Sequence, residues 1–328
     1  MTRRILVVEL LGGFGDVLLV LPAVHALARS HPGAEVTVLT FAPGEALLRA
    51  DPYVARVVAT RDHAEGAPYR AVAAELAAEP YDLVVTTTTY DGIDELCAAS
   101  APRAVTNLWR SPPSDERIDR RFLRLLAADG VIDPAYADLP LAVHLTEEER
   151  STGRTTLTQA VGDAEARPVV LVPGSGMRVK EWPAGRWSEL AFRARRLGRP
   201  VLTVGGPGTG PIPGSTVVPP GDLRALAAVL AAIGERAGVV VGGDTGPVRL
   251  ATAVGTRAVG LYGPTVAGRY GLDPRLGTSL QGLPGCTVRQ PLAITEQECW
   301  WSGLCPLTGA DPACLADLTV DAVAAASL

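Results

Sequence analysis

The stretch Ile5-Leu6-Val7-Val8-Glu9-Leu10-Leu11-Gly12-Gly13-Phe14-Gly15-Asp16-Val17-Leu18 decides the fold. It opens with an apolar, β-branched run of strand length over residues 5–10. A glycine loop follows, and then a helical pattern over 17–30, stopped by His31-Pro32-Gly33. Strand, glycine turn and helix in that order begin a parallel α/β domain. The alternation continues with a strand over 35–40, a helix over 70–78, a strand over 81–87 and a short strand at Val105. Residues 117–130 form an amphipathic helix, with Phe122, Leu123, Leu125 and Leu126 on one side and arginines on the other. Thr146-Glu147-Glu148-Glu149 has the form of a capping box and opens a helix running toward Gly162.

The pattern then restarts. Strands are expected over 169–172, 200–204, 238–241 and 258–262, and helices over 187–196, 222–234 and 247–254. The length of 328 residues also suits two domains. We place them at 1–160 and 161–328. Ligands of such sheets bind at the carboxyl ends of the strands, and every glycine-rich loop of the chain falls there.

Composition removes several classes of function. A net charge of −5 gives no reason to expect nucleic acid or an anionic membrane, and 5% aromatic content argues against base-stacking platforms. The apolar N-terminus is interrupted by Glu9, Gly12, Gly13, Gly15 and Asp16, which a secretory signal would not tolerate. No run reaches the length of a membrane span. The expectation is a cytoplasmic protein with at most peripheral membrane contact. Of five cysteines, Cys97 stands alone and Cys286, Cys299, Cys305 and Cys314 crowd the C-terminus. Their wide gaps favour buried free thiols over disulfides or a structural zinc.

Of the 30 basic side chains, one is a lysine, Lys180, and 29 are arginine. Lys180 follows an apolar strand and the loop Pro173-Gly174-Ser175-Gly176-Met177-Arg178-Val179. A compact ammonium beside a glycine loop suits a phosphate better than a planar guanidinium. A second such loop, Gly242-Gly243-Asp244-Thr245-Gly246-Pro247, opens a helix whose first turn carries proline. It offers a hydroxyl and free amides to an anion. Asp244 could orient this loop or meet sugar hydroxyls. At the N-terminal loop, Asp16 reads either as a helix cap or as a base for an incoming hydroxyl. The loop resembles a dinucleotide fingerprint. However, no acidic residue ends the second strand at Thr40-Phe41, which argues against NAD.

In order and spacing, these motifs resemble glycosyltransferase family 9, the bacterial ADP-heptose heptosyltransferases, over nearly the whole chain. The resemblance rests on Gly15-Asp16-Val17-Leu18 with Leu21-Pro22-Ala23, on Tyr81-Asp82-Leu83-Val84-Val85, on residues 117–126, on the Lys180 loop with Trp182-Pro183, on Asp244-Thr245-Gly246, and on Tyr262-Gly263-Pro264-Thr265. It implies a GT-B fold, two Rossmann-like domains facing a central cleft, with an acceptor side at the N-terminus and a donor side at the C-terminus. It also implies an inverting reaction with no catalytic metal and no cofactor beyond an ADP-linked sugar donor. Asp16 matches the family's general base, and Lys180 the lysine that neutralises the diphosphate leaving group. Donor contacts are expected from Gly174, Ser175, Gly206, Asp244, Thr245, Gly246 and Arg249. Acceptor contacts are expected from Gly13, Gly15, Thr88 and Tyr90.

The chain departs from the family pattern at Arg249, where a histidine is usual, in the acid-free loop 205–210, and at Gly221, where a methionine often lies against adenine. The acceptor is expected to be a glycan of the lipopolysaccharide core or a small natural product. A sugar-nucleotide epimerase and a non-catalytic nucleotide-sugar binding protein on the same fold are the alternatives. The hydroxyl run Thr86-Thr87-Thr88-Thr89 reads equally as acceptor-facing or as plain strand propensity. The arginines at 110, 117, 120, 121 and 124 read as a solvated helix face or as anion contacts.

Overall fold

The structure, a computed structural model, describes residues 2–110, 113, 115–162, 165–205, 210–219 and 221–328. The chain forms two compact units, Met1–His144 and Leu145–Leu328. Each is a twisted parallel sheet with helices.

The first sheet contains β1 (Arg4–Glu9), β2 (Glu35–Phe41), β3 (Arg56–Thr60), β4 (Leu83–Thr86) and β5 (Arg103–Val105), in the order β3-β2-β1-β4-β5, all parallel. The central strand β1 is apolar because both its faces are covered; Ile5 to Val8 expose nothing. Helix α1 (Phe14–Ser30) follows β1, and α2 (Ala67–Ala78), α3 (Ile93–Ser100) and α4 (Ile118–Ala128) complete the unit.

The second unit begins with helix α5 (Glu147–Val161). Its sheet contains β6 (Val169–Val172), β7 (Val201–Thr203), β8 (Thr216–Val217), β9 (Val239–Gly243), β10 (Ala258–Tyr262) and β11 (Gly277–Gln281), in the order β11-β10-β9-β6-β7-β8, again all parallel. Helices α6 (Ala184–Arg196), α7 (Leu223–Glu235) and α8 (Gly246–Ala253) connect them. Short helical segments over 267–270, 298–302, 313–317 and 320–327 form the C-terminal part.

The unit boundary at His144/Leu145 precedes the 160/161 division expected from the sequence, because α5 packs on α7. Gly153 makes the fit possible: a Cβ there would lie 2.2 Å from the Ala228 carbonyl oxygen. Glu149 closes the capping box with Thr146 and also receives the nearly buried Arg224 guanidinium, which holds its carboxyl down at about 2.

Besides the short C-terminal helices, four elements have no clear signal in the sequence. Strands β3, β8 and β11 lie at or next to sheet edges and carry no run of buried apolar residues, and α3 is short. The helix α4 is amphipathic as expected, but the arginines on and before it are tied to carboxylates, and of them Arg124 alone is exposed. Arg121 is wholly buried and donates to Glu116 and to the Pro113 carbonyl. Arg124 also holds Glu116, Arg117 holds Asp119, Arg120 holds Asp138, and Arg110 holds Asp129. Each guanidinium is thus matched to a carboxylate. All five cysteines are free thiols, and Cys286, Cys299, Cys305 and Cys314 line one small cavity.

Candidate active site

In each sheet the chain builds outward on one side of a first strand and then crosses to its other side. The crevice outside the strand ends at that crossing is where an open parallel sheet takes a ligand. In the first unit the crossing lies between β1 and β4, and in the second between β6 and β9. The sequence-predicted residues that the structure describes fall at or beside these two places.

At the first crossing, β1 ends in Glu9 and α1 begins after Gly13, which occupies the cap position without any side-chain cap. Asp16 is the third residue of the helix, half-buried, with its amide donating to the Gly13 carbonyl at 2.9 Å. It is therefore not the N-cap, although its position in the first turn suits a carboxylate. Gly12 leaves it room: a Cβ at 12 would stand 2.9 Å from Asp16 Oδ2.

Glu9 was noted in the sequence only as a break in an apolar run. Its carboxyl exposes nothing to solvent. Oε1 accepts the Leu11 amide at 3.0 Å and Oε2 the Thr40 hydroxyl at 3.3 Å. Burial, and then the Asp16 carboxylate, push this group up to about 8, against the two hydrogen bonds that pull it down. It makes no ion pair among the described residues. The sequence carried the signal: an acid at the last position of a central strand covered on both faces must be paired or neutral.

The first three hydroxyls of the run at the end of β4 are spent inside the protein, and Thr89 is exposed. Thr86, Thr87 and Thr88 are wholly buried. Thr88 Oγ1 accepts the Leu10 amide at 2.9 Å, and Thr86 Oγ1 donates to the Thr88 carbonyl at 3.1 Å. Tyr90 is partly exposed, and its hydroxyl donates to the Leu10 carbonyl at 2.6 Å. Thr88 and Tyr90 thus clasp the two strand ends together. Gly13 is exposed and Gly15 half-buried on the loop itself.

At the second crossing, Lys180 ends a single 3-10 turn, Arg178–Lys180, after β6. Its Nζ donates to Asp244 Oδ2 at 3.2 Å and lies 5.0 Å from the centre of the Trp300 ring. Asp244 follows β9 and also receives Arg249, whose Nη2 is 3.5 Å from Oδ1 and donates to the Tyr270 carbonyl at 2.6 Å. Two cations therefore share one carboxylate. Thr245 caps α8 in position only; its side chain makes no cap bond. The helix thus opens with Gly246 and Pro247 and presents its dipole to the same spot. Gly243 lets the two loops meet, since a Cβ there would lie 2.8 Å from the Lys180 carbonyl oxygen. Gly174 and Ser175 lie half-buried in the loop before Lys180, and the Ser175 hydroxyl accepts the Met177 amide at 3.2 Å. Gly206 lies outside the described residues.

In the same sheet, at the carboxyl ends of β7 and β8, is a cavity of about 200 Å³ lined by Val204, Gly205, Val218, Gly221, Leu226 and Thr152, among others. The residues 205 and 221 at which the chain departs from the family pattern are both on its wall.

Residues 110–281 match the sequence profile of the family described as glycosyltransferase family 9 (heptosyltransferase). Among solved structures, the chain is similar to a glycosyl transferase of family 9 from Veillonella parvula DSM 2008. The two are 17% identical, with 99% of this chain and 96% of that one covered and a TM-score of 0.76. It is also similar to the E. coli ADP-heptose lipopolysaccharide heptosyltransferase II, at 17% identity, coverage of 98% and 97%, and a TM-score of 0.69. The E. coli heptosyltransferase WaaC, solved with ADP, is 20% identical, with 98% of each chain covered and a TM-score of 0.62. At these identities the likeness shows the shared GT-B fold. No curated protein matches the chain significantly in sequence.

Proposed function

Because the chain belongs to glycosyltransferase family 9, we propose that this glycosyltransferase moves heptose or a related sugar from an ADP-linked donor to an acceptor hydroxyl, with inversion and without a catalytic metal. The observation that carries this reading is the cluster at the β6/β9 crossing, where Lys180 and Arg249 share Asp244 in front of the first turn of α8. Two cations against one carboxylate leave a net positive charge, to which the helix dipole adds. That arrangement receives a diphosphate, on which charge grows as the bond to the anomeric carbon breaks. Incoming phosphate competes for the ammonium that Asp244 holds in its absence. The base of the nucleotide is assigned to the cavity at the ends of β7 and β8, whose small and apolar lining supports stacking and shape rather than ribose recognition by an acid.

Asp16 takes the proton. The acceptor oxygen forms its bond to the anomeric carbon as its hydrogen passes to Asp16. The diphosphate leaves on the opposite face with the bonding electrons, so the configuration inverts. Glu9, neutral below pH ~8, leaves Asp16 as the one anion of the pair. The family resemblance and the glycan or small-molecule chemistry of such acceptors favour a cytoplasmic site of action. No helix among the described residues is long and apolar enough to cross a membrane.

A thermal-shift titration of the protein with ADP, GDP, UDP and TDP tests the donor. A ligand at a hundred times its dissociation constant adds ~2.7 kcal/mol. ADP is expected to give the largest rise, and Lys180→Ala to lose it. Stabilisation by another diphosphate alone would replace the adenine assignment, and no response to any of the four would remove the donor site.

A further inference from the structure

We propose that His25, Asp51 and His144 form a binding site for one divalent transition-metal ion of the zinc class, separate from the candidate active site. His25 lies on the buried face of α1, and Asp51 lies between the 3-10 turn Gly44–Leu48 and β3. His144 is the last residue of the first unit, on the irregular segment that leads to α5. One ligand atom from each lies within 4.8 Å of the others. Tetrahedral zinc at 2.0–2.2 Å from its ligands keeps them roughly 3.4 Å apart, which side-chain rotation reaches from here.

The chemistry of the set matches the ion. Two imidazoles and one carboxylate are borderline ligands of the kind zinc selects, and three protein ligands leave a fourth position for water. The side chains of His25 and Asp51 are 4% and 0% exposed, so the ion would be shielded from competing solvent. His25 Nε2 and Asp51 Oδ2 are 2.8 Å apart and share a proton in this state. A metal ion entering there takes the Nε2 lone pair as the imidazole proton moves to Nδ1, and an Asp51 Oδ2 lone pair takes a second coordination position. The other carboxylate oxygen is already oriented, because Oδ1 accepts the Tyr53 amide at 2.9 Å.

The surroundings are consistent with a built site. The Tyr53 ring packs on both imidazoles, with centroids 4.9 Å from His25 and 5.8 Å from His144. The imidazoles meet edge to face at 5.5 Å. The one charged neighbour from α1, Arg29, is engaged by Tyr53, donating to its hydroxyl at 2.7 Å. His25 lies nine positions after Asp16 on α1, about 13.5 Å at the helical rise. The ion would therefore not act on the proposed reaction. It would fasten the segment ending at His144 to α1.

The test uses the full chain, stripped with a chelator and titrated with zinc under calorimetry, in parallel with His144→Ala and His144→Gln. His144 is half-buried, so both variants should fold, with unchanged circular dichroism. The wild type should bind one equivalent more than either variant and show a rise in Tm that the variants lack. With cobalt as probe, that extra equivalent should give a visible spectrum without thiolate charge-transfer bands, which separates it from any binding at the four C-terminal thiols. Equal stoichiometry in wild type and variants, no binding in any of them, or an extra equivalent ligated by sulfur would each overturn the site.

Discussion

The two sheet crossings have the same topology and opposite electrostatics. The β1/β4 crossing places two carboxyl groups, Glu9 and Asp16, side by side, and Glu9 has no cation for a partner among the described residues. The β6/β9 crossing places two cations around one carboxylate. On the proposed reading, one fold thus supplies a proton acceptor in the first unit and an anion holder in the second. The difference comes entirely from the few residues that follow the central strands. It also indicates how each site stays intact without substrate. The second holds its two cations on one carboxylate, whereas in the first burial, and then the Asp16 carboxylate, keep Glu9 protonated.

The comparison predicts different failures on the two sides. Removing the base should have the larger effect. Asp16→Asn is expected to lower kcat by about 10²–10⁴ with little change in donor affinity. Lys180→Ala should lower kcat by about 10²–10³ and weaken nucleoside diphosphate binding as well. Lys180→Arg should restore part of the binding and little of the rate, since a planar fork does not sit where a point charge did. Steady-state kinetics alongside equilibrium ADP binding separates these cases. If Asp16→Asn weakened ADP binding while Lys180→Ala left it intact, the assignment of the two crossings would be reversed.

Much of this contrast was legible in the sequence, and the gaps have physical causes. Glycine loops after apolar strands announce both crossings, because only such loops let a backbone approach a ligand or another loop closely. Asp16, Lys180 and Asp244 stand directly beside those loops. Glu9 was legible as a residue but not as a feature, since its importance depends on burial from both faces, and only the neighbours β2 and β4 supply that. The threonine run shows the reverse case. Its hydroxyls suggest ligand contacts, yet the parallel pairing of β4 with β1 turns them toward backbone partners. The arginines of α4 are similar, since their carboxylate partners come from the helix's own start and from more distant positions that periodicity does not connect.

Glu9 gives the comparison a pH axis. Its carboxyl binds a proton more tightly in the native state, with its value raised from 4.5 to about 8, than in the unfolded chain. This contribution to stability is complete below pH ~4.5 and is lost as pH rises to ~8, at a total cost on the order of a few kcal/mol. Glu9→Gln keeps the shape of the neutral acid and cannot ionise. Denaturant unfolding from pH 5 to 9 should therefore show the wild type weakening relative to the variant, and the pH–rate profile of the variant should lack an ionisation near 8. Parallel stability curves would mean that Glu9 is charged in the native state and balanced in some other way.

The smallest effect concerns the clasp between β1 and β4. Thr88→Val keeps the shape of the side chain and removes the hydroxyl that accepts the Leu10 amide. It leaves a buried N–H unsatisfied, which costs about 1–3 kcal/mol. If Thr88 is a clasp, Tm falls and the KM for the acceptor barely changes. If the hydroxyl touches acceptor, as the sequence suggested, KM rises while Tm holds. The outcome matters for Asp16 as well, because Leu10 sits between the buried Glu9 and the glycine loop that leads into the helix carrying Asp16. A loosened clasp that left kcat unchanged would show that the helix, and not the strand end, fixes the carboxylate.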